Sequence, residues 1–360
     1  MLVALLTPPG RGALSVIHVC GEGAKAAVER LFGRSVGRRP RHGRLVRDGE
    51  PVDEVVVRLA EGFTAEETVE ITGHGGAVPV ERVLAAFEAL GARRVDAAGL
   101  LEHGVETGKL DRTRAEAWTL LPRARTLLAA RMLRDQAEGA LGRAVRAMES
   151  VRDAERLLAT SPTGIALARP RTVVLAGAPN VGKSTLLNAF AGRDRALVSP
   201  EPGTTRDPVR ETVSVDGVPV EMVDTAGVEE PRDGLERMAI ERTRAALREA
   251  DLVLFLFDAE AGASGSELRT LEALAGRRVI LVLNKSDAGS KRPLLEALPV
   301  SAKTGEGLDE LRRRILKALE VRASHADGAP VVFTPRQQSL LLAAATGRLP
   351  LEAAKEDLLR

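Results

Sequence analysis

The chain has 360 residues, 28% charged and 44% hydrophobic, and its 52 Lys+Arg against 50 Asp+Glu leave a net charge of +2. That is enough for two to three domains of roughly 150 residues, and it excludes both a disordered tail protein and one whose bulk basicity implies nucleic acid. A lone Cys20, five scattered histidines and 2% aromatics exclude a disulfide framework, a Cys/His zinc module and a base-stacking platform.

In chain order, Leu2–Leu6, Leu14–Val19 and Glu54–Leu59 are predicted strands with Gly and Pro clusters between them. Val78–Leu90 carries Val80, Val83, Leu84, Phe87 and Leu90 at helical spacing. From Arg114 to Leu158 the Ala- and Leu-rich pattern predicts amphipathic helices, the first broken by Pro122, and Ser161–Pro170 reads as a linker. Beyond it, Thr172–Ala176 is a short apolar strand run, followed by a Gly-rich turn and a helix from Ser184. Strands are predicted at Glu211–Val215, Val218–Val223, Leu252–Phe257, Val279–Leu283 and Ala297–Val300, with Asp216-Gly217 closing a hairpin between the first two. The alternation of strand and helix predicts an α/β domain with a mostly parallel sheet. After Val321 comes a second linker, and Pro335–Arg360 reads as one or two helices that complete the earlier helical unit. The expected domains are a small α+β unit over 1–112, a helical unit over 113–170 and 323–360, and the α/β domain over 171–322 inserted in it. No apolar run reaches the ~20 residues of a membrane span, so a soluble cytoplasmic protein is expected.

Gly177-Ala178-Pro179-Asn180-Val181-Gly182-Lys183-Ser184 satisfies G-x-x-x-x-G-K-[ST] between a strand and a helix. A polyphosphate needs a ring of backbone N–H groups; Lys183 adds a point charge for the β and γ phosphates, and the Ser184 hydroxyl is a ligand for Mg²⁺. Gly177 and Gly182 allow the chain to curl closely around the phosphates. Asn284-Lys285-Ser286-Asp287 follows a strand at the sheet edge where such folds bind ligands. The Asp287 carboxylate can accept two N–H bonds from guanine, a donor pair that adenine lacks, while Asn284 ties this loop to the phosphate loop. Ser301-Ala302-Lys303 supplies the second base-contacting loop.

Asp224-Thr225-Ala226-Gly227 ends a strand, where Asp224 can hold Mg²⁺ through water and the Gly227 N–H can meet the γ-phosphate. Gly203-Thr204-Thr205-Arg206-Asp207 lies where a first switch belongs, with Thr205 as the second Mg²⁺ ligand. Val228 follows Gly227, where many GTPases carry a water-orienting Gln. Charge stabilisation must then come from an arginine in trans or from a monovalent cation. The neutral amide of Asn180 suits K⁺. Glu236 is a candidate to orient water indirectly, with a solvated helix carboxylate as the bland alternative.

Together these residues resemble the tRNA modification GTPase (MnmE) family. The likeness includes Thr7–Gly12, Pro40–Val46, Phe63–Gly76, Gly108–Asp111 with Ala115–Ala117, Gly203–Asp207 and Glu236–Arg242. It implies an N-terminal folate-binding and dimerisation domain, contacted through Glu70, Lys109 and, at an arginine position of the family, His18. It also implies nucleotide contacts from Asn180 to Thr185 (Asn180, Val181, Gly182, Lys183, Ser184 and Thr185), K⁺ at Asn180 and the main chain around Ser199, Glu201 and Thr204, Mg²⁺ at Ser184 and Thr205, and Glu236 supporting hydrolysis. A homodimer working with an FAD-containing MnmG-type partner on the wobble uridine of tRNA follows from the same resemblance. The sequence departs from the pattern at His18, in the Ala97–Glu102 stretch that lacks a Pro-Gly-Glu-Phe run, in a short 113–170 segment, and in an ending at Arg360 without Cys-x-Gly-Lys. The alternative is a degenerate paralogue acting as a GTP-dependent switch without modification chemistry. Arg34–Arg47 is either a grip for tRNA phosphates or a solvated loop.

Overall fold

The protein is described by a computed structural model covering residues 1–8, 10, 12–62, 66–193, 209–224, 245–289 and 296–360. It divides into two compact units, 1–119 with 356–360, and 120–355.

The first unit contains β1 (Leu2–Leu5), β2 (Leu14–Cys20), α1 (Ala24–Phe32), β3 (Arg41–Arg47), β4 (Glu50–Glu61), β5 (Glu67–His74), α2 (Ala77–Glu88), β6 (Arg93–Val95), α3 (Ala97–Glu106) and α4 (Arg112–Leu120). Its sheet runs β3-β4-β5-β2-β1-β6, antiparallel except for the β1–β6 pair. Side chains of a strand alternate between faces. Val3, Ile17, Val19, Val55, Val57, Val69 and Ile71 thus meet Val28, Leu31, Phe32, Val83, Leu84 and Phe87 of α1 and α2 in one core. Fully burying side chains of this size contributes about 1.5–3 kcal/mol each. On the other face Leu2, Ala4 and Cys20 pack on Leu100 of α3. Ala115 and Trp118 of α4 pack on Leu101 and Val105 of α3, which ties α4 to this unit.

The second unit begins with a single 3-10 turn, Leu121–Arg123, so Pro122 breaks the helix as the sequence predicts. Four helices follow: α5 (Leu127–Ala137), α6 (Ala140–Arg146), α7 (Val151–Leu158) and α8 (Ser161–Ala168). The reading of Ser161–Pro170 as a linker is therefore wrong. Pro162 sits in the first helical turn, where a missing N–H costs nothing. Ile165, Ala166 and Leu167 are buried, and Gly164 lies so close to residues 331–332 that a Cβ there would stand 2.2 Å from the Val332 carbonyl oxygen. A helix with a glycine contact and a proline start carries the same residue types as a turn.

The inserted domain comprises β7 (Arg171–Gly177), α9 (Lys183–Arg193), β8 (Val209–Val215), β9 (Val218–Asp224), β10 (Leu252–Asp258), α10 (Gly265–Glu272), β11 (Val279–Asn284), β12 (Leu298–Pro299) and α11 (Leu308–Ala318). Its sheet order is β12-β11-β10-β7-β9-β8, parallel except for the β8–β9 hairpin, whose Asp216 and Gly217 both have positive φ. The apolar runs of β7 and β10 are buried on both faces, as a parallel sheet covered by helices requires. Helices α12 (Pro335–Ala345) and α13 (Leu351–Leu359) close the chain, and α12 packs on α7.

The segment leaving the inserted domain has no regular structure, yet it is held along its length. Arg322 N–H donates to Thr163 Oγ1 (3.0 Å), and Val332 N–H to Thr160 Oγ1 (2.9 Å). His325 Nε2 is hydrogen-bonded to Asp135 (2.8 Å), and Gly328 N–H donates to the same carboxylate. Gln136 donates to the Ala329 carbonyl (3.0 Å) and accepts from Val331 N–H (3.2 Å).

Candidate nucleotide site

The phosphate loop joins β7 to α9, so the first-turn N–H groups of α9 and the positive end of its dipole face the loop. Asn180 (φ 61°) and Gly182 (φ 97°) take left-handed conformations that curl the loop. At Gly182 no side chain is tolerable, because a Cβ would stand 2.3 Å from Asn284 Nδ2. Lys183, 7% exposed, donates from Nζ to the carbonyls of Gly177 (3.1 Å) and Ala178 (2.8 Å). Burial pulls its pKa below the ordinary value, against the attraction of Asp224 and Glu267. A charge held in so dry a place acts strongly on an approaching phosphate.

Asp224, at the end of β9, accepts a short hydrogen bond from the Ser184 hydroxyl at the start of α9. One hydroxyl and one carboxylate oxygen converge beside Lys183, a hard oxygen donor set of the kind that suits Mg²⁺. These residues would hold the ion, which neutralises charge developing on the phosphates when bound.

The base loops are assembled by Asn284, which is 2% exposed. Its Nδ2 donates to the Val181 carbonyl (2.8 Å) in the phosphate loop, and its Oδ1 accepts from Ala302 N–H (3.1 Å) in the second base loop. Asp287 is exposed, and a hydrogen bond from the Ser301 hydroxyl holds its pKa below the usual carboxylate range. It is therefore an ionised acceptor at neutral pH, the species that a pair of N–H donors on a base edge would require. Lys285 (φ 63°) bonds Asp258 Oδ2 at 2.7 Å from the end of β10. Lys303 is exposed on the Ser301–Lys303 loop, close enough to Asp287 to favour its ionised form.

The structure thus brings together Asn180, Val181, Gly182, Lys183, Ser184, Thr185 and Asp224 at one end of the site, and Asn284, Lys285, Asp287, Ser301, Ala302 and Lys303 at the other. Ser199, Glu201, Thr204, Thr205, Thr225, Ala226, Gly227 and Glu236 lie outside the described residues. Sequence reasoning missed Asp258. Its only local signal is a carboxylate closing an apolar strand run, Leu252–Phe257.

In the first unit, His18 and Glu70 stand opposite each other on β2 and β5, with Nε2 to Oε2 at 3.5 Å. Arg58 of β4, unmarked in the sequence, completes the row with Nε 2.6 Å from the other Glu70 oxygen. Burial lowers the His18 pKa against the pull of Glu70, and the Arg58 hydrogen bond leads in lowering that of Glu70. Lys109 is exposed in the turn after α3 and bonds neither. Cys20 is buried, which pushes its thiol up to about 11 and leaves it protonated. No helix among the described residues is long and apolar enough to cross a membrane.

Comparison with known proteins agrees with both halves. The profile described as "GTP-binding protein TrmE N-terminus" matches residues 1–99, and that described as "50S ribosome-binding GTPase" matches residues 172–285. A tRNA modification GTPase MnmE from Chloroflexus aurantiacus is 34% identical over 99% of this chain and 89% of its own length. One from Thermus thermophilus is 34% identical over 99% and 90%. Among solved structures, Aquifex aeolicus Era bound to GDP and aluminium fluoride aligns at 30% identity with TM-score 0.35, covering 48% of this chain and 65% of that one. With a nucleotide site of this build and relatives matched along nearly the whole chain, the protein is a GTP-hydrolysing member of the tRNA modification GTPase MnmE family.

Proposed function

We propose that the protein is a K⁺-stimulated GTPase that takes part, as a homodimer with an FAD-containing MnmG-type partner, in installing a 5-carboxymethylaminomethyl-type group on the wobble uridine of tRNA. The observation that carries the cation reading is Asn180, exposed in a left-handed turn on the rim of the phosphate loop, together with Val228 where a water-orienting amide is common. A monovalent cation held by the Asn180 amide and the main chain of Ser199, Glu201 and Thr204 would offset charge on the phosphates as water attacks. Ser184 and Thr205 would hold Mg²⁺, and Glu236 would orient the water indirectly.

In the first unit, Glu70 and His18, with Lys109, are the groups proposed to contact a tetrahydrofolate derivative. The ionised Glu70 carboxylate is 22% exposed and can accept N–H bonds from a pterin. Arg58 and His18 hold that carboxylate in place.

GTP hydrolysis measured in KCl and in NaCl tests the first reading: a rise of about tenfold or more in K⁺, lost in Asn180→Ala, is expected from the charge such an ion offsets. Equal rates in both salts rule it out. Mass analysis of tRNA nucleosides from a deletion strain tests the second, and unchanged wobble modification rejects it.

A further inference from the structure

The first unit carries a concentration of positive charge that nucleotide binding does not use. Seven arginines and no carboxylate lie between Glu29 and Asp48 (Arg30, Arg34, Arg38, Arg39, Arg41, Arg44 and Arg47), in a chain whose charge otherwise nearly balances. All seven are exposed, at the end of α1, in β3 (the edge strand of the sheet) and in the segment between. Three other arginines of this unit have found carboxylates: Arg58 has Glu70, Arg94 has Glu81 and Glu88, and Arg112 has Glu102. Here Arg34, Arg38, Arg39 and Arg44 have no ion-pair or hydrogen-bond partner among the described residues. Arg41 donates only to Ser35, and Arg47 pairs with Asp48 at the hairpin tip.

Like charges this dense repel one another and lower stability slightly, so the arrangement suits a polyanion that neutralises it. The segment is held firmly enough to present the charges. Leu59 N–H donates to the Gly37 carbonyl (2.9 Å), Val36 N–H to Glu29 (2.8 Å), and Val36 and Leu45 anchor it in the core. Every cation of the run is a guanidinium and none an ammonium, which favours planar two-pronged contacts to phosphate oxygens. Val46 is its only substantially exposed large apolar side chain, so the surface has nothing to insert into lipid.

We propose that this arginine-lined edge of β3, from Arg34 to Arg44, binds the phosphate backbone of RNA. The proposal rests on the reading of the chain as one that acts on tRNA, and gives that substrate a docking surface separate from the nucleotide site. Contacts to phosphate set position and affinity without reading sequence.

The test is tRNA binding by the full chain as a function of KCl concentration, for wild type and for the triple variant Arg38→Ala/Arg39→Ala/Arg44→Ala. With three phosphate contacts removed, the slope of log K against log salt becomes shallower by about 2–3, at roughly 0.7–0.9 per contact, and affinity falls about tenfold or more at low salt. GTP hydrolysis and the melting temperature stay at wild-type values, which separates lost contacts from lost folding. The corresponding triple Lys variant keeps the charge and hence the wild-type salt slope, while the loss of two-pronged contacts leaves its affinity between those of wild type and the Ala variant. An unchanged salt slope in the Ala variant overturns the surface while leaving the modification reading standing, since tRNA nucleoside analysis judges that reading independently. Arginine-dependent binding to phosphatidylserine vesicles without tRNA binding overturns it in favour of a membrane role.

Discussion

Asn284→Ala is the sharpest test of how the nucleotide site is held together. The side chain is 2% exposed and bridges two loops that are 103 and 18 residues away in sequence. Truncation removes both hydrogen bonds and leaves the Val181 carbonyl and the Ala302 N–H without their partners, in residues that are themselves buried. Each group so stranded costs about 1–3 kcal/mol. The loops can separate when no ligand spans them, so part of the cost is relieved in the free protein and reappears on binding. A loss of about 2–3 kcal/mol in nucleotide binding is expected, or roughly a 30- to 150-fold rise in the Kd for GDP. Asn284→Asp keeps the acceptor for Ala302 but turns a carboxylate towards the Val181 carbonyl, and it should fall at least as far. Fluorescent GDP titration measures the affinity, and a urea melt without nucleotide measures the residual stability loss. A GDP affinity within about threefold of wild type for the Ala variant would refute the idea that this amide couples phosphate and base recognition.

Three further outcomes are expected. Asp258→Asn removes the charge partner of Lys285, and about 1 kcal/mol is at stake in this half-exposed pair; GDP dissociation should quicken roughly three- to tenfold while turnover at saturating GTP is unchanged, measured by stopped flow and steady-state kinetics. Gly164→Ala places a methyl 2.2 Å from the Val332 carbonyl and should cost about 2 kcal/mol, a fall in Tm of roughly 4–8 °C by calorimetry. Asp135 is opposed by burial but held at about 2 by Gly328 N–H, His325 and Arg134. Its folded pKa is below the unfolded value near 3.9, so the stability it adds is complete above about pH 4 and is lost as pH falls towards 2; about 2 kcal/mol should disappear over that window, and urea midpoints at about pH 5 and pH 2.5 should differ less in Asp135→Asn.

The nucleotide loops were legible because their chemistry is contiguous. A backbone that wraps a phosphate needs glycine where Gly182 sits, and a cation and a hydroxyl directly after it, so one short run of residues announces the whole device. The β8–β9 hairpin was legible for the same reason, since Asp216 and Gly217 are the residue types that accept positive φ in succession. What stayed hidden depends on register. Arg58, Glu70 and His18 are separated by 12 and 52 residues, and only the pairing of β4, β5 and β2 puts them in one row. Asp258 and Lys285 meet because parallel β10 and β11 end together, with Asp258 opposite Asn284. Helix α8 was misread because Ser161, Pro162, Thr163 and Gly164 are turn-forming types whose roles here are a proline start, a hydroxyl acceptor for Arg322 N–H and room for a neighbouring carbonyl.

Thr160 and Thr163 receive the chain coming back from the α/β domain within one turn of each other, at the start of the helix from which it departs. Residues 171–321 are therefore a closed excursion, a cassette whose two ends are riveted to the same short helix. Replacing the cassette by a few-residue bridge should leave the helical frame able to close. Among the described residues β9 also packs on α5 and α8, and Gly217 lies against Leu128, so a tilt of the nucleotide cassette loads these helices as well as the junction at Thr160 and Thr163.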